Sequence, residues 1–274
     1  MTNLQIRSSG ATLAGEVRGG GPAVVFLHAG VADRRMWDGV VGHLAVSHRT
    51  VTYDRRGFGE TLSAEETFSL PCDLLAVLDG CGSSRATLVG CSQGGRVALD
   101  FALAYPERVA ALVLIAPSIG GAPVPETFPP QVEALLEELE AAEESGDLER
   151  LNLLEARLWL DGVLGKEGRV QGHLRDLFLD MNGIALRAPQ LGEETVPPPA
   201  WPRLGEVTVP SLLVCGDLDF PHVQERCRKM GELMPEARWH LMEGTAHLPS
   251  FEHPEAFAAL LSNFLTEVGA AEKR

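Results

Sequence analysis

Apolar runs and stretches of helical period alternate along most of the chain. Residues 4–8 and 12–17 alternate in polarity around Ser9-Gly10, as in a hairpin with one buried face. After Gly19-Gly20-Gly21-Pro22, the run Ala23-Val24-Val25-Phe26-Leu27 has no polar position, so it reads as a strand buried on both faces. It ends in the polar loop His28-Ala29-Gly30. A helix around residues 37–46 precedes a strand Thr50-Val51-Thr52-Tyr53 that closes on Asp54-Arg55-Arg56-Gly57-Phe58-Gly59-Glu60. A helix near 71–78 then leads to a strand over 86–89. Beyond a turn at Ser92, Val97, Leu99, Phe101, Ala102 and Leu103 lie in a largely buried helix, and residues 109–116 form another fully apolar run. Strand and helix in repeated order predict a mostly parallel sheet with right-handed crossovers.

The pattern breaks between Gly120 and about Gly205. Prolines mark both ends: Pro123, Pro125, Pro129 and Pro130 going in, and Pro197, Pro198, Pro199 and Pro202 coming out. Helical spacing appears at Val132/Leu135/Leu136/Leu139, at Leu151/Leu154/Leu158, and at Val170/Leu174/Leu177/Phe178/Met181. The economical reading is a helical cap over residues 120–205, inserted into an α/β core made of residues 1–119 and 206–274. Trp159, Phe178 and Met181 are candidates to line a pocket beneath it, although the same spacing serves internal packing. The sheet pattern resumes at Pro210-Ser211-Leu212-Leu213-Val214-Cys215, followed by Gly216-Asp217-Leu218-Asp219. A helix over 222–234, a strand over 238–242, the loop Glu243-Gly244-Thr245-Ala246-His247 and a helix over 254–265 complete an eight-stranded α/β layout.

Composition narrows the function classes. The formal net charge of −15 disfavours nucleic acid and anionic membranes as partners. Much of the acidity falls between Glu133 and Glu149 and reads as a solvated helix face. Cys72, Cys81, Cys91, Cys215 and Cys227 are odd in number and show neither C-x-x-C nor metal-ligand spacing. No signal-peptide pattern opens the chain and no apolar stretch is long enough to span a bilayer, so a cytoplasmic protein is expected. Neither glycine-rich turn completes G-x-G-x-x-G, because Val24 and Leu62 occupy the last position. No metal, nucleotide or flavin is expected, and nothing in the pattern specifies an oligomeric state.

The candidate chemistry centres on Gly90-Cys91-Ser92-Gln93-Gly94-Gly95, a G-x-S-x-G turn between a strand and a helix. Ser92 is the candidate nucleophile. Asp219 and His247 fall at equivalent places, each just past the carboxyl end of an expected parallel strand, where such sheets bind ligands. Acyl transfer needs a base that takes the serine proton and returns it to the leaving group, which imidazole does. His247 fits that role, with Asp219 to hold its tautomer. Asp54 with Arg55 and Arg56 reads as a loop ion pair or turn cap.

The chain resembles the α/β-hydrolase superfamily over nearly its whole length, in the esterase, lactonase and C–C hydrolase branch that carries a helical cap. The resemblance rests on His28-Ala29-Gly30, on Tyr53 through Gly59, on the elbow at 90–95, on Gly216-Asp217-Leu218-Asp219 and on Gly244-Thr245-Ala246-His247-Leu248-Pro249. It implies Asp219 rather than Asp217 as the triad acid, and the backbone N–H groups of Gly30 and Gln93 as the oxyanion hole. Two residues depart from the family's habit. Ala29 stands where glycine is usual, and Cys91 precedes the nucleophile where a larger side chain is common; elbow geometry should turn Cys91 inward. The implied activity is hydrolysis of a small-molecule ester or lactone through an acyl-serine. Perhydrolase or C–C hydrolase chemistry is the alternative, and a ligand receptor without turnover is the reading from another class. Serine at 92 sets the chain apart from the dehalogenases and epoxide hydrolases of this fold, which use aspartate.

Overall fold

In the computed structural model, which describes residues 1–271, the N-terminal alternation forms a hairpin of β1 (Thr2–Ser8) and β2 (Ala11–Arg18). The buried runs follow as β3 (Ala23–Leu27) and, after a 3₁₀ turn Arg34–Trp37 and α1 (Asp38–Leu44), β4 (Arg49–Tyr53). Next come β5 (Leu62–Ser63), α2 (Leu70–Gly80), β6 (Ala86–Cys91), α3 (Gln93–Ala104) and β7 (Val109–Ile115). The helical segment holds α4 (Pro130–Ser145), α5 (Leu148–Glu155) and α6 (His173–Leu186). The chain closes with β8 (Ser211–Gly216), α7 (Pro221–Leu233), β9 (Ala237–Met242), α8 (Pro249–Glu252) and α9 (Pro254–Ala271). Residues 272–274, the end of the expected core range, lie outside the described residues.

The strand order is β1-β2-β4-β3-β6-β7-β8-β9. From β4 to β9 every pairing is parallel, so the carboxyl ends of six strands share one edge. A ninth strand departs from the expected eight: β5 pairs antiparallel with β2, through Ala11 with Ser63 and Thr12 with Leu62. Two residues carry too little periodicity to be read from sequence. The unbroken apolar run of β3 has its physical cause in two cores. Val25 and Leu27 pack with Leu74, Val97, Phe101 and Met230 from α2, α3 and α7, whereas Val24 and Phe26 pack with Val41, Leu44, Phe257 and Leu261 from α1 and α9.

Among the described residues, 120–205 contribute no strand to the sheet. Leu135, Leu139, Ala142, Leu151, Leu154 and Leu186 bind α4, α5 and α6 together. Past Glu155 the chain winds on as a π-helix over Ala156–Gly162, so the spacing read as one helix covers two geometries. The return crossing is fastened to the core. Phe68 N–H donates to Glu193 O at 3.0 Å, Thr195 N–H donates to Phe68 O at 2.7 Å, and Arg96 pairs with Glu194 at 2.8 Å. No helix of the described residues is long and apolar enough to cross a membrane.

Candidate active site

Ser92 sits between β6 and α3 at φ +53° and ψ −116°, a sparsely populated positive-φ conformation that costs a residue with a Cβ roughly 1–3 kcal/mol. The surroundings enforce it. A Cβ at Gly90 would collide with Gly94 O, and one at Gly94 would collide with Leu27 O, so helix and strands approach as only glycine permits. Ser92 N–H donates to Ile115 O at 2.8 Å, and Ser118 N–H donates to Ser92 O at 3.1 Å, tying the turn to the end of β7. Ser92 is half-buried and Cys91 fully buried. Burial foremost, with the Asp219 and Glu252 carboxylates behind it, pushes the Cys91 thiol up, which keeps it protonated at neutral pH.

Asp219 and His247 meet. His247 Nδ1–H donates to Asp219 Oδ2 at 2.7 Å, and the other carboxylate oxygen accepts Phe220 N–H at 2.7 Å. With the Nδ1 proton committed to the carboxylate, Nε2 of a neutral ring is the free acceptor. Asp217 bonds elsewhere. Its Oδ1 accepts Gly244 N–H at 2.7 Å, while Leu218 N–H donates to Thr245 O at 2.9 Å. The two loops are thereby stitched together. Cys91 Sγ lies 3.8 Å from His247 O, which sets the histidine loop against the elbow.

Of the expected pocket residues, Trp159 reaches this site. Its ring centroid is 4.6 Å from that of His247 and 5.5 Å from that of Phe220, and Phe128 and His222 extend the aromatic cluster. Phe178 and Met181 are instead fully buried, packed with Met36, Ala156 and Leu160 among the residues of one core.

Gly30 and Gln93 are neighbours, since a Cβ on Gly30 would stand 3.4 Å from Gln93 Oε1. Gln93 opens α3, where an N–H has no intrahelical partner. One buried cation clamps both loops. Arg55 Nη1 donates to Gln93 Oε1 at 2.7 Å, and its Nη2 donates to His28 O at 3.0 Å and Ala29 O at 3.1 Å. Arg55 N–H donates to His28 Nε2 at 3.0 Å, which leaves the imidazole proton on Nδ1 to meet Ala29 O at 2.8 Å. Ala29 fits this loop with its side chain fully buried.

With this geometry in view, residues 24–260 match the Alpha/beta hydrolase family. The chain belongs to that family. The hydrolase is 29% identical over 258 residues to 2-hydroxy-6-oxo-6-phenylhexa-2,4-dienoate hydrolase of Burkholderia cepacia, covering 90% of this chain and 88% of the relative. It is 28% identical over 264 residues to pimeloyl-[acyl-carrier protein] methyl ester esterase of Aeromonas hydrophila, covering 90% and 96%. A solved structure of an N-acyl homoserine lactone degrading enzyme superposes with a TM-score of 0.75 at 23% identity, over 95% of this chain and 99% of the other.

Sequence reasoning reads Asp54, Arg55 and Arg56 as one loop ion pair or cap, and the hydrolase divides them. Asp54 accepts the N–H of Arg34 and of Glu60, each at 2.9 Å, and so acts as a turn cap. Arg56 pairs with Asp73 at 2.7 Å. Arg55 lacks a carboxylate partner among the described residues and serves the loops instead. Its signal in the sequence is only a charged residue placed just past a buried strand, which does not say which backbone carbonyls it will meet.

Proposed function

We propose that this hydrolase cleaves an ester or lactone of a small molecule through an acyl-Ser92 intermediate. The observation that carries the reading is the buried 2.7 Å bond from His247 to Asp219, on the same sheet edge as a serine held at positive φ. His247 Nε2 takes the Ser92 proton as Oγ attacks the carbonyl carbon. Negative charge gathers on the carbonyl oxygen, where the N–H groups of Gly30 and Gln93 receive it. Collapse expels the alcohol, which leaves with the proton from His247, and water then repeats the sequence on the acyl-enzyme. Residues 120–205 act as the cap, with Trp159 walling the site beside His247.

A second reading, C–C bond hydrolysis, is favoured by one specific finding: the relative from Burkholderia cepacia is a dienoate hydrolase. Both readings use Ser92, and a substrate panel separates them. A fluorophosphonate probe should label Ser92, and Ser92→Ala should abolish labelling and lower kcat by at least about a thousandfold. Full ester hydrolysis by Ser92→Ala would overturn the acyl-serine reading. A kcat/KM for vinylogous diketones far above that for esters and lactones would favour the C–C reading.

A further inference from the structure

The loop carrying His247 is held by a carboxylate outside the triad. Glu252, the last residue of α8, has a side chain only 2% exposed. Its Oε1 accepts Ala246 N–H at 2.8 Å, and Leu248 N–H faces the same carboxylate. These two amides flank His247. Oε2 pairs with Arg169, whose Nη1 also donates to Gly244 O at 2.9 Å. Arg169 therefore grips the base's loop on both sides, directly at Gly244 and through Glu252 at Ala246 and Leu248.

Arg169 comes from the segment expected as a cap, and that segment fixes its place. Arg169 Nε donates to Asp161 O at 3.1 Å and Nη2 to Leu160 O at 2.8 Å. The buried Asp161 carboxylate accepts Gly168 N–H at 2.8 Å and Val170 N–H at 3.2 Å, and pairs with Arg175 at 3.0 Å, which folds the turn that aims Arg169. The end of the π-helix docks beside it. Gly162, at φ +84°, is so close to Leu218 O and to the Ala246 side chain that a Cβ would collide with both. Leu164 N–H donates to Leu218 O at 3.3 Å. Leu218 precedes the triad acid and Ala246 precedes the base.

We infer that Glu252 and Arg169 are positioning residues for His247, so that seating of the 156–170 segment and alignment of the imidazole on Asp219 are one event. The base role of His247 rests on the function proposed above; the geometric claim does not. Removing Arg169 leaves a buried carboxylate without its cation, and Glu252→Gln keeps one neutral acceptor oxygen where a carboxylate now serves the guanidinium and the two amides, so part of that grip is lost. A displacement of about 1 Å at a catalytic group is enough to cost on the order of a hundredfold in rate.

The test uses the full-length chain with Arg169→Ala, Glu252→Gln and Arg169→Lys. One readout is the far-downfield proton resonance of His247 Nδ1–H, assigned by its loss in His247→Gln; the other is kcat and KM on an ester. Arg169→Ala and Glu252→Gln are expected to shift or broaden the resonance and to lower kcat about tenfold to a hundredfold, with KM changed by less than about threefold. Arg169→Lys keeps the charge beside Glu252 but lacks the planar fork that meets Leu160 O, Asp161 O and Gly244 O, so it should fall between the wild type and Arg169→Ala in both readouts. An unchanged resonance and unchanged kcat in both variants would overturn the inference. So would a loss that merely tracks the unfolded fraction, with wild-type turnover per labelled Ser92. A wild-type chain that shows the resonance yet turns over no ester defeats the proposed function, and the resonance arm still decides the inference.

Discussion

Arg55 is a buried cation whose two terminal nitrogens meet carbonyl oxygens. Desolvation outweighs everything else around it and pushes its guanidinium down to about 10; Nη1 and Nη2 are occupied by His28 O, Ala29 O and Gln93 Oε1, while the buried Nε has no hydrogen-bond partner among the described residues. The guanidinium also lies over the Phe58 ring, at 4.7 Å from the centroid. A single ammonium cannot span three acceptors in a planar fork. Arg55→Lys should therefore loosen the Gly30 and Gln93 loops and lower kcat by about tenfold, less than outright loss of an oxyanion donor, with a smaller effect on KM in steady-state kinetics. His28, in the same knot, carries a pH signature. Burial first and the Arg55 charge second hold its imidazole well below the ordinary 6.5. Below that value the unfolded chain binds a proton that the folded chain refuses. The contribution to stability is thus present above pH 6.5 and lost as pH falls. Urea midpoints of the wild type should decline from about pH 7 to about pH 5, and His28→Asn, though less stable at neutral pH, should decline less steeply.

At the scale of elements, the π-helical stretch Ala156–Gly162 decides where the inserted segment meets the site. Leu158 and Leu160 turn into separate apolar clusters, and Trp159 between them faces His247. Gly162 ends the stretch at a positive φ with no room for a side chain, whereas Gly146, at φ +70° after α4, has open space around it. Gly146→Ala should cost only the backbone preference, roughly 1–2 kcal/mol. Gly162→Ala adds a collision with Leu218 and Ala246, so calorimetry should find the lower Tm there, together with reduced kcat. The strand and helix order was legible in the sequence because burial on both faces forces unbroken apolar runs such as residues 23–27 and 109–115. Ser92, Asp219 and His247 were legible as residues at strand ends in a particular chain order. The π-winding was not, since Leu151, Leu154 and Leu158 fit ordinary helical spacing, and the difference lies in the backbone. Phe178 and Met181 were ambiguous for a related reason: an apolar side chain reads the same whether it faces a cavity or a neighbouring side chain. Glu252 and Arg169 left no pattern, being 83 residues apart in sequence and joined only by the docking of the inserted segment.

For the whole molecule, the net charge of −15 acts on anything that diffuses toward the strand-end edge. Part of it stands close to the site. Glu137, Glu138, Glu140, Glu143 and Glu144 are exposed on α4, whose apolar residues Val132, Leu135, Leu136 and Leu139 pack in one cluster with Leu158, Trp159 and Phe220. The helix thus turns its acidic face to solvent while its apolar face packs in the cluster that holds Trp159 and Phe220. The field reaches about 30 Å at about 10 mM salt and about 8 Å at about 0.15 M. An ester bearing a carboxylate should be repelled at low ionic strength, and its kcat/KM should rise between those salt concentrations by about two- to fivefold, on the low side of electrostatic steering effects. A neutral ester of the same size should show no change. Measuring the two side by side isolates the long-range field from salt effects on stability. A kcat/KM that falls with salt for the anionic ester would overturn the account of an acidic field opposing approach; a rise confined to the anionic ester would bear it out.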